Sequence, residues 1–136
     1  MVNGTTELSD QPHRVVQVIY CQPLSPICHV IYATIGSTIT LLEVLVLPFK
    51  TKNESLAEKY RDILLYAEGL TTFEIFHEVS ELSSKLRAKH LIRTPDAIQI
   101  AVGIIYGADA FLTNDSSLKK VNDIRVVILE DFLGKQ

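Results

Sequence analysis

The sequence lacks the residue patterns that mark several common classes of catalytic and metal-binding protein. Its two cysteines, Cys21 and Cys28, are too few for a disulfide framework, and without an export signal we expect a reducing cytoplasm. Their spacing from His13 and His29 matches no Cys/His ligand pattern of zinc proteins. No glycine-rich phosphate loop is present, and no combination of Ser, His and Asp indicates nucleophilic catalysis.

An excess of positive charge is also missing, since the net charge is −3. This balance argues against a protein that binds nucleic acid through its overall charge, but it allows a local basic strip. The candidates for such a strip are Lys85, Arg87, Lys89, His90 and Arg93, just before Asp96, together with Lys50 and Lys52. These side chains could position RNA through its phosphates without reading its sequence. The alternative is an ordinary solvated helix face.

Charge is scarcest in residues 30–49, where Glu43 is the only charged residue. A helix of this length is long enough to cross a membrane. A carboxylate in mid-span costs roughly 2.5–3.5 kcal/mol on insertion scales. The polar residues 36–38 also interrupt the apolar run. We therefore predict a buried strand over residues 30–35 and a separate helix through about residue 47, and no membrane span.

Strand and helix patterns alternate along the rest of the chain. Helical periodicity begins near Asn53, Ile75 and Thr94, and short apolar runs indicate strands at 70–73, 108–112 and 125–129. Such alternation predicts an α/β fold in which a parallel sheet is flanked by helices. With 136 residues and no linker or repeat, the sequence indicates a single domain spanning residues 1–136.

Three acidic residues occupy positions that a parallel sheet brings to its ligand-binding edge. Glu43 lies two turns into the helix after one strand, Asp96 begins a buried helix, and Asp115 follows a later strand. Clustered carboxylates are the ligands that Mg²⁺ or Mn²⁺ selects, and the cation offsets their repulsion. A metal held there would activate a water and neutralise charge on a phosphodiester. These acids are our candidate catalytic and metal-binding residues.

Each acid also has a purely structural explanation. The helix macrodipole alone favours Asp96 at a helix start, and Asp115 could be the N-cap of the residues that follow it. Glu43 stands in an apolar helix, where a carboxylate needs a partner such as Arg93, a raised pKa or a metal.

Three motifs carry a family resemblance. They are Ser37-Thr38-Ile39-Thr40-Leu41-Leu42-Glu43-Val44-Leu45, Thr94-Pro95-Asp96-Ala97-Ile98-Gln99-Ile100-Ala101 and Gly107-Ala108-Asp109-Ala110-Phe111-Leu112-Thr113-Asn114-Asp115. Through them, residues 35–132 resemble a PIN domain, close to the VapC-type ribonuclease toxins. The resemblance implies a metal-dependent endoribonuclease that cleaves single-stranded or looped RNA, with many members forming dimers and held inactive by an antitoxin. It assigns Glu43, Asp96 and Asp115 to the acidic site, with Thr113 and Asn114 as polar neighbours.

The amino-terminal part departs from that family, whose first strand ends in an Asp-Thr-Asn-type motif that binds the metal. Residues 1–12 form an atypical tail in which neither Glu7 nor Asp10 follows an apolar strand. Residues 15–20 are apolar, but no acid follows them, and we predict that they form the family's first helix. We therefore expect the first central strand to be missing and Mg²⁺ or Mn²⁺ to bind weakly, if at all.

Three functional interpretations follow from this pattern. The first is a VapC-type ribonuclease whose beginning has been lost, which impairs catalysis. The second is a catalytically inactive module that binds RNA or an antitoxin as a decoy or scaffold. The third is an interaction domain outside the family, in which the acids are helix caps.

Overall fold

The computed structural model describes residues 18–21 and 33–131, which contain a five-stranded sheet and its flanking helices. The strands are β1 (Val18–Cys21), β2 (Ala33–Ser37), β3 (Leu70–Phe73), β4 (Ala110–Thr113) and β5 (Arg125–Ile128). The α-helices are α1 (Thr38–Lys50), α2 (Glu54–Tyr66), α3 (His77–His90) and α4 (Thr94–Ile105). Short 3₁₀ turns cover Ser116–Lys120 and Leu129–Asp131. This arrangement confirms the predicted α/β class.

The order of strands across the sheet is β3-β2-β1-β4-β5. The pairs β2–β3 and β4–β5 are parallel, whereas β1 runs antiparallel to both of its neighbours. Since β2 and β4 both oppose β1, they share one direction. The strands β2, β3, β4 and β5 therefore all end at the same side of the sheet, which we call the carboxyl edge.

The strand β1 corrects the prediction of a helix over residues 15–20, in the part that the structure describes. Ile19 pairs with Ile35 on one side and with Phe111 on the other, so the central position of the sheet is filled. The backbone groups of β2 and β4 that face this position require hydrogen-bond partners, and β-branched residues such as Val18 and Ile19 favour the extended conformation. Within residues 18–21 and 33–131, no parallel strand occupies the centre. Glu7 and Asp10 lie outside the described residues.

The hydrophobic core is built on α4, the helix that the sequence predicts to be apolar nearly all round. Ala97, Ile100, Ala101 and Val102 are fully inaccessible to solvent, as is Phe111 of the neighbouring strand β4. The helix α3 packs along α4, and its predicted apolar stripe contributes buried side chains to the same cluster. The Asp96 carboxylate thereby lies at the start of the helix around which the buried core is built.

The first two helices begin close to their predicted positions. Helix α1 starts directly after β2 and extends to Lys50, with the buried Pro48 inside its last turn, beyond the predicted end near residue 47. Of the two predicted starts of α2, Asn53 and Ser55, the structure has Asn53 as the cap, whose side chain accepts a hydrogen bond from the Leu56 amide at 3.1 Å. Among the described helices, none combines the length and hydrophobicity that crossing a membrane requires.

A charged contact fixes the end of α3 to the loop that precedes β5. Asp123 accepts a hydrogen bond from Lys89 Nζ at 3.0 Å, and its second oxygen contacts His90 Nε2. The hydrogen bond with His90 is the main cause that lowers the pKa of the Asp123 carboxyl, and Lys89 lowers it further against the opposing effect of burial. The contact therefore favours the folded state only while Asp123 is ionised.

We predict that Asp123→Asn lowers the free energy of unfolding at pH 7 by up to about 1 kcal/mol, the range of partly exposed ion pairs. Because the folded-state pKa of Asp123 is depressed, its stabilisation is present above the ordinary Asp range near pH 4 and is lost as pH falls through the folded-state value. Urea unfolding at pH 7 and pH 3 should show a difference only at pH 7. Asp131→Asn is the control, because Asp131 pairs with Lys119 and more than half of each side chain is exposed. An equal effect of Asp123→Asn at both pH values contradicts the prediction.

Candidate active site

Two of the three predicted acids, Glu43 and Asp115, come after strands that end at the carboxyl edge. The third, Asp96, lies at the start of a helix. Strand β2 leads directly into α1, which carries Glu43. Strand β4 leads into Asn114 and Asp115, and Asp96 lies in the first turn of α4. The ends of neighbouring parallel strands are where ligands bind in open α/β sheets.

Glu43 and Asp96 lie close enough to interact electrostatically. Asp96 is only 4% exposed, and Glu43 is half-buried on α1. Burial raises the pKa of the Glu43 carboxyl, and the negative charge of Asp96 raises it further. A raised pKa was one of the outcomes that the sequence predicts for this isolated acid. The structure therefore brings together two of the three candidate residues, and their repulsion favours a positive charge beside them.

Arg93 supplies one such positive charge, but to Asp96 instead of Glu43. Its Nε donates a hydrogen bond to Asp96 Oδ2 at 3.1 Å, and its terminal nitrogen lies 3.1 Å from the same oxygen. Arg93 precedes the first turn of α4, so the two side chains are three positions apart and meet on one face. The guanidinium orients the Asp96 carboxylate and offsets part of its charge.

A buried hydrogen-bonded group, which we call the Gln99 clamp, joins the helix of Asp96 to the helix of Glu43. Ser37 Oγ donates to Gln99 Oε1 at 3.1 Å, and Gln99 Nε2 donates to Thr40 Oγ1 at 2.5 Å. All three residues are almost completely buried. Gln99 lies one helical turn after Asp96, and Thr40 one turn before Glu43, so the clamp fixes the spacing between the two acids.

The Gln99 clamp was missed by reasoning from the sequence. The signal was present, because Gln99 is the one amide in an otherwise apolar stretch of α4 and a buried amide requires hydrogen-bond partners. Its partners Ser37 and Thr40 could not be named from the sequence, since they lie about sixty positions away in the chain.

Asp115 has a capping role in the structure. Its Oδ1 accepts a hydrogen bond from the Ser117 amide at 2.9 Å, at the start of the 3₁₀ turn Ser116–Lys120. The Asp115 amide in turn donates to the buried Thr113 hydroxyl at 3.0 Å. Next to it, the Oδ1 atom of Asn114 is buried and has no hydrogen-bond partner within the described part of the chain. A buried oxygen without a donor is a ready ligand for a cation or a water.

The acids present fit a hydrated cation better than a closed metal cage. Within residues 18–21 and 33–131, no three His, Cys, Asp or Glu side chains group closely enough to enclose a metal. Mg²⁺, however, is commonly held by one or two carboxylates while it keeps several waters and binds substrate phosphate. Glu43 and Asp96 match this two-carboxylate arrangement. The assignment of Glu43, Asp96 and Asp115 as metal ligands stays a prediction.

Most of the basic residues that precede Asp96 are paired within the chain. Lys85 forms an ion pair with Glu81, and Lys89 and His90 contact Asp123. Arg93 is the member of this group that reaches the candidate site. The predicted basic strip is therefore largely a helix face with its own acidic partners, which is the alternative that the sequence left open.

Comparisons with known proteins give a family and a fold. A model of the PIN domain family matches residues 29–124. No curated protein matches the sequence. The fold is similar to a toxin–antitoxin complex from Klebsiella pneumoniae, with 24% identity, a TM-score of 0.54, and coverage of 67% of this chain and 69% of that chain. It is also similar to VapBC2 from Rickettsia felis bound to a DNA fragment from their promoter, with 19% identity, a TM-score of 0.56, and coverage of 69% and 73%.

We predict that Gln99→Leu destabilises the protein by about 1–3 kcal/mol, because the buried hydroxyls of Ser37 and Thr40 lose their partner. Replacing all three clamp residues by apolar ones (Ser37→Ala, Thr40→Val and Gln99→Leu together) should be closer to neutral, since no polar group is then left unsatisfied. Chemical denaturation of the single and triple variants measures this difference. If the Gln99→Leu variant were as stable as the triple variant, the hydrogen bonds of the clamp would make no measurable contribution to the free energy of unfolding.

Proposed function

The chain belongs to the PIN domain family, and on that premise we propose that it is an RNA-directed, metal-dependent endoribonuclease of the VapC type with impaired catalysis. The observation that supports this proposal is the electrostatic coupling of Glu43 and Asp96 at the carboxyl edge. Two carboxylates kept close together in a partly buried position favour a cation between them.

Each residue of the site has a distinct role in this proposal. Glu43 and Asp96 supply ligand oxygens, Arg93 orients Asp96, and the Gln99 clamp keeps the two acids at a fixed spacing. Asp115 is a third candidate ligand, because its capping hydrogen bond uses one carboxylate oxygen, Oδ1. A bound Mg²⁺ or Mn²⁺ would lower the pKa of an attacking water and stabilise charge on the scissile phosphate.

The reason for impaired catalysis lies in the direction of β1. The family resemblance calls for a parallel central strand whose last residue is an Asp at the carboxyl edge. Here β1 runs the opposite way, so its first residue, Val18, faces that edge and Cys21 faces the other. No residue of β1 is acidic. With one ligand fewer, the cation binds more weakly and the rate of RNA cleavage falls. Loss of a residue that only orients a metal ligand already lowers metal affinity or activity about 10–100-fold.

We predict slow RNA cleavage that requires Mg²⁺ or Mn²⁺ and is abolished by Asp96→Asn. The same substitution should weaken Mn²⁺ binding by at least roughly tenfold in calorimetry, because one of two carboxylate ligands is removed. Asp62→Asn, on the exposed side of α2, is the matched control and should change neither result. Identical Mn²⁺ titrations for the wild type and Asp96→Asn would refute the metal site. A chain given the family's opening strand with its Asp should cleave faster; robust cleavage by the unaltered chain would instead show that catalysis is not impaired.

A second candidate function, antitoxin binding without cleavage, is favoured by an exposed apolar surface. Leu42, Val46 and Phe49 are each at least 50% exposed and follow one another at helical spacing along α1, so they form an unpartnered stripe on one face. Such exposed apolar patches commonly mark interaction sites. Both similar solved structures are of toxin–antitoxin systems. We propose that an apolar segment of an antitoxin covers this stripe.

We expect Val46→Asp to reduce co-purification with an antitoxin by more than tenfold while the stability changes by less than about 0.5 kcal/mol, since the position is on the surface. Lys59→Ala, at an exposed position of α2, is the control. Light scattering of the free chain tests the competing explanation, in which the stripe forms a dimer interface. A wild-type dimer that Val46→Asp converts to a monomer would show that a second copy of the chain occupies the stripe instead.

A further inference from the structure

A cleft of about 150 Å³ opens beside Asp96, between the start of α4 and the 3₁₀ turn Ser116–Lys120. Arg93 and Asp96 line one wall, and Ser117 and Lys120 line the other. The loop from Leu91 to Arg93, which joins α3 to α4, closes one end. The cleft is open to solvent, so a ligand group can enter it.

The charges on the two walls of the cleft are not equally balanced. Arg93 shares its charge with Asp96, and about half of its side chain is still exposed. Lys120 makes no ion pair with any residue of the described chain, whereas its neighbour Lys119 pairs with Asp131 at 3.2 Å. Lys85 and Lys89 are likewise paired. Lys120 is therefore an uncompensated cation directed at the same cleft as the Arg93 guanidinium.

The loop at the end of the cleft begins at the C-cap of α3. Leu91 has a φ of 52°, in the left-handed region that residues with side chains avoid, and its side chain is 83% exposed. This conformation is the left-handed C-cap of α3, in which the Leu91 amide donates to the Arg87 carbonyl at 2.9 Å. Leu91 lines the cleft together with Ile92 and Leu118, so apolar side chains lie beside its charged and polar groups.

We propose that this cleft is a phosphate-binding subsite for single-stranded RNA, in which Lys120 and Arg93 contact one backbone phosphate and the Ser117 hydroxyl donates to it. The inference rests on the proposed function, because it takes RNA as the substrate. The phosphate in the cleft is next to the one that Glu43 and Asp96 would act on. Arg93 offsets the repulsion that the Asp96 carboxylate exerts on this phosphate, and Lys120 supplies the remaining attraction.

The test compares two neighbouring lysines on the same 3₁₀ turn. Binding of a short fluorescein-labelled single-stranded RNA is measured by anisotropy over a series of salt concentrations, in EDTA so that no cleavage occurs. Lys120→Ala should weaken binding roughly tenfold, as expected for a lost charge-assisted contact, and should reduce the salt slope by about 0.7. Lys120→Arg should restore both values. Lys119→Ala, which removes an equal charge outside the cleft, should leave binding close to that of the wild type.

Two results overturn the phosphate subsite. The first is an equal loss for Lys119→Ala and Lys120→Ala, which would mean that RNA senses only the overall charge of the turn. The second is a Lys120→Ala variant that binds RNA normally but loses affinity for inorganic phosphate, which would make the cleft a free-anion site. RNA that binds through Lys120 but is never cleaved with Mn²⁺ would refute the ribonuclease and leave the subsite standing. Absence of any RNA binding by the wild type would refute both.

Discussion

Repulsion between the buried Asp96 carboxylate and the half-buried Glu43 carboxylate is the constraint around which this end of the molecule is arranged. The cost of that repulsion is visible in the raised pKa of Glu43, to which burial contributes most and the Asp96 charge adds. Moving the acids apart would relieve it, but the Gln99 clamp prevents this because its buried polar groups would lose their partners. Among the described residues, Arg93 supplies a positive charge to Asp96.

The parts of the structure that follow from local patterns could be predicted from the sequence. Apolar periodicity identified α3 and α4, and the all-round apolar character of α4 correctly indicated its burial. Glu43 stood out because a single acid in an apolar run has few ways to be accommodated, and a raised pKa was one of the outcomes expected. The start of α2 was narrowed to Asn53 or Ser55 by residue type and position, and the structure has Asn53 as the cap.

The parts that depend on contacts between distant residues could not be predicted in this way. The direction of β1 depends on which strands offer unpaired backbone groups beside it, and nothing within Val18–Cys21 specifies that direction. The ion pair of Arg93 formed with Asp96, its neighbour on the same helix face, and not with the more distant Glu43. Asp115 shows a different limit of reasoning from the sequence. An aspartate at this position suits both a helix cap and a metal ligand, so the residue type does not distinguish the two roles.

The position of β1 has a mechanical consequence. It pairs with each neighbouring strand through three residue pairs. Within residues 18–21 and 33–131, β1 is the only strand that connects the two-stranded ribbon β2–β3 to the ribbon β4–β5. Two-stranded ribbons are marginal on their own in water. If β1 dissociated from its neighbours, the sheet would separate into two halves. These halves would still be joined by α4, which contacts both β2 and β4. Within the described residues, the hydrogen-bonded continuity of the sheet therefore depends on the four residues of β1.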